Sequence, residues 1–140
     1  MYQLDIREPL VQVKVSTVRI VTDSLADIPP AILRDLDITV VPAIVRFGNT
    51  EYRDRVDLPS WEFYQKLKNS PVLPTTSVPS SGEFEQTYRN LALETDQILA
   101  IHTIGTLSGI YNASRLAAQE ISNAQVEVIR QRRRARRNRV

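Results

Sequence analysis

Two short polar segments carry the side chains best suited to holding a ligand: LPTTSVPS at 73–80 and HTIGTLSGIYNAS at 102–114. Each runs directly into a stretch with helical periodicity, and together they offer the hydroxyls of Thr75, Thr76, Ser77, Thr106 and Ser108. The first turn of a helix leaves backbone N–H groups without intrahelical partners, so hydroxyls gathered there suit a carboxylate or phosphate. Pro74 and Pro79 bracket the first segment and restrict its backbone, which reads as an extended loop displaying Thr75, Thr76 and Ser77. A plainer reading is a rigid turn whose hydroxyls bond their own backbone, and Ser108 is equally suited to capping the helix that follows it. Both roles can coexist, because a loop that exposes N–H groups can share them with a bound anion.

Other residues add to this set. Asp23 and Ser24 end the apolar run TVRIVTDS. Polar residues at the carboxyl end of a buried strand mark where ligands bind in open α/β sheets, although an Asx-type turn accounts for the same pair. His102 is the only histidine. With no second histidine to build a metal site, it reads as a hydrogen-bonded structural residue at a strand end. Gly82, Gly105 and Gly109 match neither a dinucleotide fingerprint nor a phosphate loop, so no cofactor is expected. No nucleophile with its base is apparent, and the expected chemistry is capture of a negative headgroup without covalent catalysis.

The elements that must position these residues follow from patterning. Residues 18–22 read as a buried strand. Pro29 and Pro30 suit the first turn of a helix through Leu36, and ITVVPAIVRF supplies one or two further strands. Gly48 and Asn49 form a hairpin turn into TEYRDR. Asp57 and Pro59 open a helix through about Asn69, with Phe63, Tyr64 and Leu67 on one face. Ser80 and Glu83 make a capping box, followed by Phe84, Tyr88 and Leu91 at helical spacing. QILAIHT is the next buried strand. A helix from about Ser108 to Ile121 places Ile110, Ala113, Ala117 and Ile121 on one face, and VEVI at 126–129 closes the pattern. LVQVKV at 10–15 is a candidate edge strand. Strands alternating with helices imply an α/β fold, a mainly parallel sheet with helices on both faces.

Composition bounds the function. A chain of 140 residues with 42% hydrophobic content supports one domain with a real core, and the absence of cysteine excludes disulfides and thiolate metal sites. No apolar run is long enough to span a membrane and the first residues lack a signal-peptide layout, so a cytoplasmic protein is expected. The net charge of +2 conceals a division: residues 130–140, RQRRRARRNRV, hold 7 of the 18 basic residues and none of the 16 acidic ones. Residues 1–129 therefore carry 11 basic against 16 acidic residues, a net of −5. Nucleic-acid or anionic-surface binding through the Arg-rich tail is an alternative function, although no aromatic residue interleaves the arginines. An enzyme acting on a small anionic substrate at the same strand ends is another.

Taken in order, IVTDSLADIPP, ITVVPAIVRFGNTEYRDRVDL, EFYQKLKNSPVLPTTSVPSSGEFEQTY and ILAIHTIGTLSGIYNASRLAA resemble the amino-terminal part of the DegV family of fatty-acid-binding proteins. The resemblance implies a DegV-like amino-terminal domain over residues 18–129, preceded by an extension at 1–17 and followed by the tail at 130–140. It further implies a long-chain fatty acid as ligand, its carboxylate hydrogen-bonded by a threonine that falls on Thr76 and a serine that falls on Ser108. Ser77, Gly109, Asp23 and Ser24 are the neighbouring ligand-binding candidates. A fatty acid kinase is the implied partner, with phosphoryl transfer performed by the kinase. Members of the family continue after VEVI into a second domain, whereas this sequence turns into the Arg-rich tail, which reads as a truncated or frameshifted product. Loss of that domain is expected to expose apolar surface and to favour self-association.

Overall fold

The computed structural model describes residues 17–102 and 108–130. The candidate edge strand at 10–15 and the Arg-rich residues after Arg130 lie outside the described residues. Among the described residues, seven strands form two sheets. The first contains β1 (Arg19–Asp23), β2 (Ile38–Val41), β6 (Gln97–His102) and β7 (Gln125–Arg130), all parallel, in the order β2-β1-β6-β7. The second is antiparallel, with β3 (Ile44–Phe47) between β4 (Thr50–Arg53) and β5 (Thr75–Ser77). The helices are α1 (Pro30–Asp35), α2 (Ser60–Asn69), α3 (Ser81–Leu91) and α4 (Ser108–Gln119).

The parallel sheet carries the core. Alternation along β1 and β6 turns Val21, Ile98 and Ala100 to one face, where α3 and α4 cover them. Helix α3 starts where its grammar requires: the Ser80 hydroxyl accepts from the Glu83 N–H at 3.3 Å, and the Glu83 carboxylate accepts from the Ser80 N–H at 2.7 Å. Its Phe84, Tyr88 and Leu91, spaced to share one face, are all buried. Phe84 and Tyr88 have no exposed area, and each such side chain stabilises the fold by about 1.5–3 kcal/mol. Helix α1 packs on β2 but buries no residue completely. Its crossover leaves β1 toward one edge, whereas that of α4 leaves β6 toward the other. Right-handed crossovers therefore set α1 on the face opposite α4.

Two expectations need correction, and the run ITVVPAIVRF divides further than its pattern shows. ITVVPAIVRF is two strands in different sheets, because Pro42 and Ala43 break the run and β3 then pairs with β4 across the Gly48–Asn49 turn, Gly48 taking φ +59°. The sheet is mainly parallel only in its four-stranded part. Thr75, Thr76 and Ser77 form no isolated loop; they are the edge strand β5, paired with β3. Helix α2 begins at Ser60, and Asp57 closes the preceding turn instead of opening the helix.

The order β2-β1-β6-β7 reverses between β1 and β6, which creates a crevice beyond Asp23 and His102. The antiparallel sheet and α2 stand beside that end.

Candidate functional site

In the antiparallel pair β3–β5, Thr76 lies opposite Val45, with Thr75 opposite Arg46 and Ser77 opposite Ile44. Directly opposed residues share a face and successive residues alternate, so Thr76 points with Val45 while Thr75 and Ser77 point away. Thr76 and Val45 line a cleft of about 280 Å³ together with Ser24 and Leu25 after β1, Phe63 and Tyr64 of α2, and Arg55. Asp27, Asp54 and Ser60 complete the lining. The lining thus combines the apolar Leu25, Val45, Phe63 and Tyr64 with the hydroxyl residues Thr76, Ser24 and Ser60, two carboxylate residues and one arginine.

Each polar group is held by an identifiable cause. Ser24 is 4% exposed, and its Oγ accepts from the Ala43 N–H at 3.0 Å, which leaves the hydroxyl hydrogen available to donate. Arg55 sits in the turn joining β4 to α2. That turn is closed by the Asp57 carboxylate, which accepts from the Arg53 backbone N–H at 2.9 Å, from Nε at 2.9 Å and from Nη2 at 2.8 Å. The Arg53 guanidinium, with its backbone N–H second, holds the Asp57 carboxyl down at about 2. The Arg55 N–H donates to the Leu58 carbonyl at 3.1 Å, and Leu58 is buried, so the turn is anchored in the interior.

A second polar cluster fills the crevice between β1 and β6. His102 Nδ1 lies 2.8 Å from Asp23 Oδ2, His102 Nε2 lies 2.8 Å from Ser114 Oγ, and Ser114 Oγ lies 2.6 Å from the Tyr88 hydroxyl. The other Asp23 oxygen accepts from the Leu25 N–H at 3.1 Å. With Asp23 as carboxylate and the ring neutral, protons are donated in the order Tyr88 to Ser114 to His102 to Asp23. Burial pushes the Tyr88 phenol up to about 12, against the opposing effect of its bond to Ser114. Phe84 closes the cluster edge-on to the imidazole, ring centroids 5.3 Å apart. The Asp–His–Ser order is that of a hydrolytic triad, yet Ser114 and His102 are 0% exposed and Asp23 1%. A hydroxyl so enclosed has no open side to offer a substrate, and the chain of bonds serves to satisfy buried polar groups.

The expected ligand-binding residues therefore divide. Thr76 and Ser24 share the cleft. Ser77 faces the opposite side of its sheet. Asp23 spends both carboxylate oxygens on the protein. Gly109 lies against Val78: a Cβ placed there would meet both Val78 methyls at 3.5 Å, so the start of α4 does adjoin the segment that carries Thr76. Ser108 opens α4, while its side chain and residues 103–107, including Thr106, lie outside the described residues. Patterning missed Arg55, which sits in a polar turn without a motif. It also missed Ser114, whose position four residues after Ile110 on the apolar face was the available signal.

Among the described residues no cluster of His, Cys, Asp and Glu could hold a metal ion, and no helix is long and apolar enough to cross a membrane.

Comparison with known proteins points one way. The model of the DegV family, described as uncharacterised proteins, matches residues 17–132. A DegV domain-containing protein of Lactococcus lactis is 42% identical over 112 residues, covering 80% of this chain and 40% of that protein. One from Halalkalibacterium halodurans is 38% identical over 110 residues, covering 78% and 39%. Among solved structures, DegV of Bacillus subtilis, described as a fatty-acid-binding protein, superimposes with a TM-score of 0.75 at 31% identity, covering 80% of this chain and 40% of that one. A stearic-acid-binding protein of Eubacterium ventriosum does so with a TM-score of 0.70 at 32% identity, covering 81% and 41%. The chain spans about two-fifths of the length of the relatives it matches.

Proposed function

The chain belongs to the DegV family, and from that premise we propose that it carries the headgroup-binding part of a fatty-acid carrier. The observation that carries this reading is the cleft itself, whose lining combines Thr76 and Ser24 with the apolar Leu25, Val45, Phe63 and Tyr64. A long-chain fatty acid has the matching polarity, a carboxylate that accepts hydrogen bonds and a chain that gains by leaving water. Each buried methylene contributes about 0.8 kcal/mol, against about 1.5–3 kcal/mol for a hydrogen bond to a charged group. The acyl chain therefore supplies most of the affinity and the hydroxyls set which end enters. Thr76 and, at the start of α4, Ser108 are the proposed carboxylate ligands, with Ser24 beside them.

At about 280 Å³ the cleft falls below the roughly 300–1,000 Å³ of most small-molecule sites, so it accommodates the headgroup and only part of a long chain. The remainder needs cover from outside these residues. The proposed role is carriage, with any phosphoryl transfer left to a kinase partner.

Native mass spectrometry of the full chain purified from a bacterial host tests the reading. A co-purified mass that organic extraction identifies as a fatty acid is the expected result. Failure to retain added palmitate both in this chain and in the same chain continued by a relative's remaining length would overturn it.

A further inference from the structure

We propose that Arg55 is a specificity-determining residue of the cleft, a second anchor that selects a carboxylate headgroup over a neutral one and that Asp27 holds in the absence of ligand. The inference rests on the fatty-acid reading of the cleft and extends it to a residue outside the hydroxyl set.

Arg55 has a backbone φ of +62°, in the left-handed region that a long side chain adopts only at a cost and glycine adopts freely. The turn nevertheless keeps an arginine there. Its N–H bonds the Leu58 carbonyl, the N–H of neighbouring Asp54 bonds the Ala43 carbonyl at 2.8 Å, and Asp57 clamps the turn from Arg53. Arg55 lines the same cleft as Thr76, and its side chain is 30% exposed. Its protein partners are the Ile28 carbonyl, at 3.3 Å from Nη1, and the Asp27 carboxylate. Asp27 is itself left-handed at φ +53°, and its side chain is 85% exposed. An ion pair with so exposed a partner gains little, too little to account for an arginine in this conformation. A guanidinium offers five donors in one plane, matched to a carboxylate, and an incoming headgroup can take over the donor that Asp27 occupies.

The acidic neighbours sharpen the consequence. Asp27 and Asp54 both line the cleft, so the open site is electronegative apart from Arg55. A carboxylate entering it must win Arg55 from Asp27, and a neutral headgroup has no such exchange to make. Removing Arg55 should therefore reduce the preference for the acid to what the hydroxyls alone provide, and removing the Asp27 charge should increase it.

The experiment compares dissociation constants of the full chain for palmitate and for 1-hexadecanol, by equilibrium partition of the labelled compounds. Arg55→Gly relaxes the left-handed turn and so keeps the fold, checked by circular dichroism. It is expected to lower the palmitate-to-hexadecanol preference by about tenfold or more. Asp27→Asn, a substitution suited to positive φ, is expected to raise palmitate affinity severalfold with hexadecanol unchanged. An unchanged preference in Arg55→Gly, or equal affinity of the unaltered chain for both compounds, overturns the role of Arg55 and leaves lipid binding standing. If neither compound binds the unaltered chain, alone or continued by a relative's remaining length, the fatty-acid reading is overturned, and this inference with it.

Discussion

The two polar clusters at this end of the molecule use similar residues to opposite ends. Asp23, His102, Ser114 and Tyr88 face one another between the parallel sheet and helices α3 and α4, where bonds of 2.6–2.8 Å link them in series and none of the four residues is more than 1% exposed. Thr76, Ser24 and Arg55 line an open cleft and keep donors that no group among the described residues takes up. A hydroxyl or carboxylate becomes a ligand group only when the fold leaves it hydrogen-bonding capacity. Asp23 and Ser24, adjacent in sequence, end up on different sides of that division.

The largest test of the contrast is His102→Ala. Removing the imidazole leaves Asp23 Oδ2 and the Ser114 hydroxyl each short of one partner in a dry interior, though Leu25 and Tyr88 still bond them, and the expected loss is about 3–5 kcal/mol, a large share of a typical domain's stability. Urea unfolding followed by circular dichroism measures it; a loss below about 1 kcal/mol would show that the cluster is not a structural unit. Thr76→Val probes the other cluster. Thr76 is exposed and its substitution keeps the β-branched shape on an edge strand, so stability should change by no more than about 0.5 kcal/mol, while palmitate affinity falls about tenfold. A drop in stability without a drop in affinity would reverse the assignment of the two clusters.

The smallest effect is expected at the turn that presents Arg55. Asp57 titrates at about 2 in the folded protein against an ordinary 3.8, so its bond to Arg53 stabilises above the ordinary value and that contribution is lost as pH falls through 2. Asp57→Asn should lower Tm by a few degrees at most at pH 7, with the difference between the two proteins vanishing near pH 2. Thermal scans across that range measure it, and a difference that persists at pH 2 would mean the side chain acts through shape alone.

Much of the fold was legible because its causes are local. The Ser80–Glu83 capping box, the Gly48–Asn49 hairpin, the proline start of α1 and the buried runs of β1, β6 and β7 each depend on residues a few positions apart. The site was legible in part. Thr76 and Ser24 were identifiable as polar residues at element ends, and the resemblance to the DegV family gave Thr76 its expected role.

Arg55 left no such trace, because nothing in YRDRVDL distinguishes a solvated arginine from one facing a cleft 21 residues before Thr76. Ser114 was hidden for a related reason. A serine on an apolar helix face is explained only by His102, twelve residues earlier, which in turn answers to Asp23, 79 residues before it.

By itself, then, the sequence determined where most of the strands and helices lie, which helix faces are apolar, and that hydroxyls cluster at two element ends, since backbone sterics and short-range hydrogen bonds act over a few residues. Tertiary structure alone decided that β2 and β3 part into separate sheets, that Thr76 faces the cleft while Ser77 turns away, and that Asp23 is consumed by His102 while Ser24 stays available. Those outcomes depend on strand register and on partners distant in the chain, and a side chain's remaining capacity to bind is known only once those partners are in place.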